Sequence, residues 1–153
     1  MAIPVLGWID ASAASLYFAN ERPEFTVWSA LTSAVKQRAM NCAYNRIYYC
    51  GKWNIPASPS ADLLVRLGKA QCEMAYYIAQ HLPDEDRRKG LQIQGVAKAG
   101  IVEETYNPNW IDKIPIPLIV DALLKSIEAK ISFGMVDIDR DEDKSVNEDA
   151  TDL

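Results

Sequence analysis

The sequence predicts a mainly α-helical fold: a small four-helix bundle with a projecting β-hairpin and an extended acidic C-terminal arm. Apolar residues recur three and four positions apart in four stretches, as they do on one face of a helix. Two short strand-like runs, LQIQGV and GIVEETY, meet around residues 97–100. The last 19 residues are acidic and poor in apolar side chains. We therefore expect a helical domain over 1–134, with the hairpin at about 91–106, and an acidic arm over 135–153.

Capping residues predict the first two helices. Asp10 is a suitable N-cap for a helix that runs to about Asn20, where an Arg-Pro pair follows. After a linker over 25–28, Thr32 caps a longer helix that runs to about Tyr49 (Ser33 is the alternative cap).

The third helix is expected to start at Ser60 or Ala61 and to stop at Pro83, because proline lacks the amide that an interior helical position donates. The charged run 84–90 is then a turn. Gly68 lies inside this helix, at a cost of roughly 1 kcal/mol relative to alanine, and suggests a close helix–helix crossing. The predicted apolar stripe consists of Leu63, Leu64, Leu67, Ala70, Met74, Tyr77 and Ile78.

The fourth helix is expected to have Pro117 in its first turn and to end near Gly134. The arm that follows is too acidic to order itself through apolar burial. The apolar side chains of the fourth helix are those of Leu118, Ile119, Ala122, Leu123, Ile127 and Ile131.

The charge is unevenly distributed along the chain. The net charge is −5, but residues 135–153 alone contain eight acids and two bases, which leaves 14 bases and 13 acids in the rest. A nearly neutral body provides no broad basic surface for a phosphate backbone. No segment approaches 18 uncharged apolar residues and the N-terminus lacks a basic region, so neither a transmembrane helix nor a signal peptide is expected.

The sequence offers little for catalysis or for binding a metal ion. His81 is the only histidine, which excludes a His-based triad or a multi-His metal site within one chain, and it is interpreted as a helix-end residue. The arm spaces acids as an EF-hand does, but Glu142 stands where the loop requires glycine, so a solvated arm is favoured. We expect no enzymatic activity, no metal and no cofactor. Three cysteines in helical patterns, expected to be buried thiols, are Cys42, Cys50 and Cys72.

Two further clusters each allow two interpretations. The mixed-sign run 84–89 is either a solvated turn or a salt-bridging contact with a neighbouring subunit. A group of aromatic residues is best explained by core packing, since stacking on single-stranded nucleic acid requires more basic neighbours. Its members are Tyr44, Tyr48, Tyr49, Trp53, Tyr76 and Tyr77.

Four runs occur in an order and spacing that resemble a known family. They are WSALTSAVKQRAMNCAYNRIYYCGKWN, KAQCEMAYYIAQH, DRRKGLQIQGVAKAGIVEETY and IPIPLIVDALL. Over about Trp28 to Leu124 the chain resembles the head–tail connector proteins (adaptor or neck proteins) of tailed bacteriophages, a family often labelled DnaT-like single-stranded DNA-binding protein. The resemblance is one of whole segments rather than of a catalytic signature.

The resemblance implies a structural virion protein of the neck, assembled in the host cytoplasm. It implies a homo-oligomeric ring, dodecameric in such adaptors, that binds the portal protein, receives the stopper or tail-completion protein, and surrounds double-stranded DNA without sequence-specific binding. No membrane is involved. By position, residues 118–153 would form the portal-facing arm, with Met135, Val136, Asp137, Ile138, Asp139, Arg140, Asp141, Glu142 and Asp143 as its candidate contacts. The candidate contacts with a neighbouring subunit or the next ring are Arg87, Arg88, Lys89, Ile93, Lys98, Ile101 and Glu103.

An alternative function is that of a single-stranded DNA-binding accessory protein of replication. The family label and the tyrosines favour it, and the near-neutral body counts against it. A small enzyme is a third hypothesis, against which stands the lack of any convergent polar cluster in the sequence.

Overall fold

The computed structural model of the protein describes residues 5–96 and 113–129, together with the backbone of two short strands. These parts are mainly helical, as predicted. The elements are α1 (Ala11–Glu21), α2 (Thr26–Ala30), α3 (Ser33–Tyr49), α4 (Ala61–Ile93), β1 (Lys98–Ala99), β2 (Glu104–Thr105) and α5 (Leu118–Leu124), the last continued by a 3₁₀ turn over Lys125–Ile127.

Three helix starts are confirmed by their caps. The backbone amide of Ala13 donates to the carboxylate of Asp10 at 2.8 Å. The hydroxyls of Thr32 and Ser60 accept in the same way from the amides of the residues three positions later, at 3.4 and 3.3 Å. Each cap satisfies an amide that the first helical turn leaves without a partner. The linker predicted at 25–28 is wrong, because most of it belongs to α2, in which Trp28 is buried.

The predicted end of the third helix is also wrong. Pro83 lies inside α4, which continues to Ile93 and is followed by Gly95 with a φ of 81°. A proline removes one intrahelical hydrogen bond, but the amides on either side of it still donate. The turn predicted at 84–90 is therefore helical, and so is the first half of the predicted strand LQIQGV.

A hairpin of the predicted extent, 91–106, is for this reason not seen. The described strand pairing is limited to two antiparallel pairs, Lys98 with Thr105 and Ala99 with Glu104. The remaining residues of the predicted hairpin beyond Val96 lie outside the described parts of the chain.

The last helix is shorter than predicted, since α5 ends at Leu124 rather than near Gly134. The chain next pairs with the loop that follows α3. The amide of Asn54 donates to the carbonyl of Ile127 at 2.8 Å, and that of Ala129 donates to the carbonyl of Lys52 at 2.9 Å. These bonds require an extended backbone, which ends the helix.

Helix α4 is the centre of the fold, with α3 and α5 packed along it and α1 and α2 covering a further part of its surface. The predicted stripe is confirmed at Leu63, Leu67, Ala70, Met74 and Ile78, which are all buried. It is wrong at Leu64, which is 42% exposed, while Tyr77 is half-buried.

Gln71 holds the N-terminal segment against α4. Its fully buried side chain donates to the carbonyls of Leu6 and Met40, at 3.1 and 3.0 Å, and accepts from the amide of Trp8 at 2.9 Å. Gly7 has a φ of 115°, and a Cβ there would lie 2.3 Å from the Gln71 amide nitrogen. Only glycine fits this close approach.

Gly68 lies opposite Ile9 of the same segment, so the helix crossing predicted from this glycine is wrong. A second buried polar group, the carboxylate of Glu73, accepts from the hydroxyl of Tyr17 at 2.9 Å and pairs with Arg22. Burial, followed by this hydrogen bond and the Glu73 charge, raises the pKa of Tyr17.

Candidate interaction surfaces

The second half of α4, residues 79–93, differs from the first in that none of its residues is buried. It carries four of the residues predicted to contact a neighbouring subunit. Arg87 and Arg88 are exposed, Lys89 is half-buried, and Ile93 is 74% exposed. The helix therefore places these side chains together on one segment, where a turn and a strand were predicted.

A cluster of ion pairs fixes this segment to the rest of the fold. The guanidinium of Arg46 on α3 donates twice to the carboxylate of Glu85, at 3.0 and 3.2 Å, and these side chains are only 14% and 9% exposed. The ammonium of Lys89 lies 3.1 Å from the same carboxylate and 3.0 Å from the carbonyl of Lys113. Glu85 thus links α3, α4 and the segment before α5.

A row of four aromatic rings crosses the surface beside α3, and we refer to Trp8, Tyr44, Tyr48 and Tyr49 as the aromatic row. Successive ring centroids are 4.8, 5.4 and 5.0 Å apart. Tyr48 is 48% exposed and Tyr49 is 75% exposed. The prediction of core packing is therefore wrong for these two tyrosines, although Trp53 and Tyr76 are buried as expected.

The exposure of the row follows from the periodicity of α3. Its buried face is formed by Ala39, Met40, Ala43 and Ile47. Tyr48 and Tyr49 come one and two positions after Ile47, that is about 100° and 200° further round the helix. The helical spacing in the sequence therefore indicates that Tyr48 and Tyr49 are exposed, whereas the density of aromatic residues favours a location in the core.

The stretch of sequence that carries the three tyrosines of the aromatic row is basic. Residues 25–61 contain no acid and four bases. Arg46 is paired with Glu85, and Lys52 with Asp121 at 2.6 Å, whereas Arg38 is exposed. Partial burial, with the neighbouring tyrosines, raises the pKa of Tyr44. The row is thus an uncharged aromatic surface on a basic, acid-free helix.

A third exposed group is aliphatic and lies at the start of α5. Leu118 is 87% exposed, Ile119 is 47% exposed and the preceding Ile114 is 41% exposed. The opposite side of this short helix buries Val120 and Leu124 against the core. The helix is therefore apolar on both sides, which is typical of an element that a partner covers.

Several predicted contact residues lie outside the described parts of the chain. Of Lys98 only the backbone is described, in β1. Ile101 and Glu103 are not among the described residues, nor are any of the predicted arm contacts, Met135, Val136, Asp137, Ile138, Asp139, Arg140, Asp141, Glu142 and Asp143.

His81 is exposed in the interior of α4, with its ring 4.9 Å from that of Tyr77. Its interpretation as a helix-end residue is wrong because α4 continues for more than three turns beyond it. Cys72 is buried, and burial raises the pKa of its thiol to about 12, whereas Cys42 and Cys50 are half-buried. All three thiols are free.

Within the described ranges, no three or more His, Cys, Asp or Glu side chains lie together in a way that would hold a metal ion. None of the helices described has the length and the apolar composition needed to cross a membrane.

In comparisons with models of known protein families, with curated proteins and with solved structures, no match to this chain is found.

Proposed function

We propose that this chain is a structural, non-enzymatic head-to-tail adaptor of a tailed bacteriophage. Copies of it would form a ring, dodecameric by the resemblance, in the neck of the virion. The ring would bind the portal protein on one side and the stopper or tail-completion protein on the other. It would surround double-stranded DNA without sequence-specific binding. Assembly would take place in the host cytoplasm.

The observation that carries this proposal is the second half of α4. Residues 79–93 have no buried residue, yet present Arg87, Arg88 and Ile93 on one continuous helical segment. Such a segment is suited to contacts with another subunit, which would bury Ile93. The segments that resemble the adaptors include this part of α4.

The exposed side of α5 supports a second contact. In the adaptors that the chain resembles, the C-terminal region faces the portal. Leu118 and Ile119 lie at the beginning of that region, and their exposure leaves an aliphatic surface for a partner to cover. Residues 118–153 would then form the portal-facing arm, with the acidic part beyond 134 as its end.

Native mass spectrometry of the chain mixed with portal rings from the same source tests the proposal. The full-length chain is compared with a variant that ends at Gly134 and with the double variant Arg87→Glu/Arg88→Glu. We expect full-length chains to load as a ring, the double variant to load poorly, and the shortened chain to load only if the anchor lies in the body. Full-length chains that stay monomeric beside intact portal rings would contradict the proposal.

The aromatic row favours a second candidate function, single-stranded DNA binding. Exposed tyrosines on a basic helix are able to stack with bases while Arg38 contacts phosphate. Fluorescence anisotropy of a labelled oligonucleotide measures this directly. Binding that weakens steeply with salt, and that the double variant Tyr48→Ala/Tyr49→Ala abolishes, would support it. The absence of binding at low salt would exclude it.

A further inference from the structure

The described chain ends close to the C-terminal end of α3, where Tyr49 of the aromatic row lies. The amide of Ala129 donates to the carbonyl of Lys52, and Glu128 forms an antiparallel bridge with Trp53. Lys52 follows Tyr49 by three positions. The segment that begins at residue 130 therefore leaves the body at the C-terminal end of α3.

The order of residues in that segment matches the order of side chains along α3. The segment is first apolar, with Ile131, Phe133 and Met135, and then acidic from residue 137 onwards. From its C-terminal end backwards, α3 presents first the exposed Tyr49 and Tyr48, and then the bases. Apolar side chains thus meet aromatic rings, and carboxylates meet the part of the helix that carries Arg38.

The length of the segment after Ala129 also matches the length of α3 between Tyr49 and Arg38. From Tyr49 back to Arg38 is eleven residues of helix, which is about 17 Å at 1.5 Å per residue. Residue 137 is eight positions beyond Ala129, and an extended chain of that length spans up to about 26 Å. An extended segment of eight residues is therefore long enough to run along α3 from Tyr49 to Arg38.

We propose that residues 131–143 bind along the acid-free side of α3 of their own chain. The apolar part covers Tyr48 and Tyr49, and the carboxylates lie beside Arg38. The charges are complementary, since residues 25–61 contain no acid and residues 135–153 carry −6. A tether of a few residues raises the local concentration of the segment to the millimolar range, which favours its own chain over a second copy.

This contact concerns a single chain and does not depend on the adaptor proposal. Its consequence is that the aromatic row is covered until a partner competes for the row or for the acidic segment. A portal that binds the segment, or an oligonucleotide that binds the row, would then have to displace it.

Photo-crosslinking tests the contact in the full-length chain. Phe133 is replaced by p-benzoyl-phenylalanine, and the irradiated protein is digested with trypsin. We expect a product with the mass of one chain, in which the peptide Ile131–Arg140 is linked to the peptide Ile47–Lys52, which contains both exposed tyrosines. Linkage of the peptide Ile131–Arg140 to other peptides only, or no linkage, would overturn the proposal. A product with the mass of two chains would show that the segment binds a second copy, which also contradicts it.

Charge variants distinguish docking from chance proximity. Arg38→Glu, in the photoreactive background, is expected to lower the crosslink yield roughly two- to fivefold, the size expected for one exposed ion pair. Raising the salt concentration should lower it similarly, because the charges are exposed. Arg88→Glu, the same exchange on the distal part of α4, should leave the yield unchanged. Equal yields from both variants would contradict docking on α3, and circular dichroism verifies that each variant is folded.

Discussion

The two halves of α4 form one continuous helix but differ in what surrounds them. All eleven buried residues of α4 lie between Leu63 and Ile78, including the polar Gln71 and Glu73, whose hydrogen bonds are satisfied within the fold. Residues 79–93 contain no buried residue, and Pro83 lies near the start of this half. It is connected to the body by Leu82, which packs against the core, by Glu85, which pairs with Arg46, and by Lys89, which donates to the carbonyl of Lys113.

The second half of α4 is thus helical although its residues are not buried. Once the first half is packed, each further residue adds a backbone hydrogen bond without repeating the cost of nucleation. The second half can therefore persist as helix with few tertiary contacts. The buried side chains of α4 are confined to the core half, and the distal half leaves most of its surface exposed.

The largest effect is expected in the core half. Leu67 is fully buried, and Leu67→Ala should lower the free energy of unfolding by about 2–5 kcal/mol, because it removes apolar contacts and leaves a cavity. Ile93→Ala, at a residue that is 74% exposed, should change it by less than about 0.5 kcal/mol. Urea denaturation measures both. Similar losses of unfolding free energy in the two variants would contradict the distinction between the two halves of α4.

Two of the three glutamines of α4 give the next contrast. Gln71→Ala removes the partners of the Leu6 and Met40 carbonyls and of the Trp8 amide, and should cost about 1–3 kcal/mol. Gln80 is exposed, and Gln80→Ala should be close to neutral because alanine is a good helix former. Chemical denaturation gives the free energies, and hydrogen exchange shows whether residues 6–9 lose protection. An unchanged free energy of unfolding in Gln71→Ala would show that other contacts hold the N-terminal segment.

Alkaline pH should weaken the core half through Cys72. Burial raises the pKa of its thiol to about 12 in the folded chain, whereas an unfolded cysteine titrates near about 8.5. The stabilisation by the neutral thiol is complete below the unfolded pKa and is lost as pH rises towards the folded one. We expect the free energy of unfolding to fall by up to about 1.4 kcal/mol per pH unit above pH 9 from this group.

Urea denaturation between pH 7 and 11 checks this expectation, with Cys72→Ala as the control. The variant should lose that part of the pH dependence and retain what Tyr17 contributes above pH 10, since the pKa of Tyr17 is also raised. An identical slope in the wild type and the variant would contradict the assignment to Cys72.

The smallest effect is expected at the boundary between the halves. Pro83→Ala restores an amide donor for the carbonyl of Ala79 and should stabilise the chain by about 1 kcal/mol, part of the usual cost of an interior proline. Hydrogen exchange should slow in residues 84–93 and not in the core half. Pro56→Ala, in an exposed loop, should instead destabilise the chain slightly, because it raises the conformational entropy of the unfolded state. Faster exchange in Pro83→Ala would show that proline fixes the native geometry there.

The features of the fold that depend on neighbouring residues could be predicted from the sequence. The caps at Asp10, Thr32 and Ser60 bond to amides three positions away, so their signal is local. The end of α4 could not be predicted in this way. The rule that proline ends a helix does not take into account the pairing of Glu85 with Arg46, which lies 39 residues earlier.

The polar core and the surface were harder still to predict. The partners of Gln71 are 31 to 65 residues away, so nothing local shows that this glutamine is buried. The predicted contacts Arg87, Arg88 and Ile93 are exposed, since an unpacked charged run is exposed whether it is a turn or a helix. Tyr48 and Tyr49 were assigned to the core from their aromatic character, although helical spacing from Ile47 places them outside it.

Hydrogen exchange of α4, measured in the free chain and in the complex with portal rings, tests the division into core and contact halves most directly. In the free chain, residues 84–93 should exchange far faster than residues 66–76, which open only with global unfolding. In the complex, exchange of residues 84–93 should slow by at least about tenfold while the core half is unchanged. If residues 84–93 exchange equally fast in the free chain and in a loaded ring, this half of α4 is not the assembly surface.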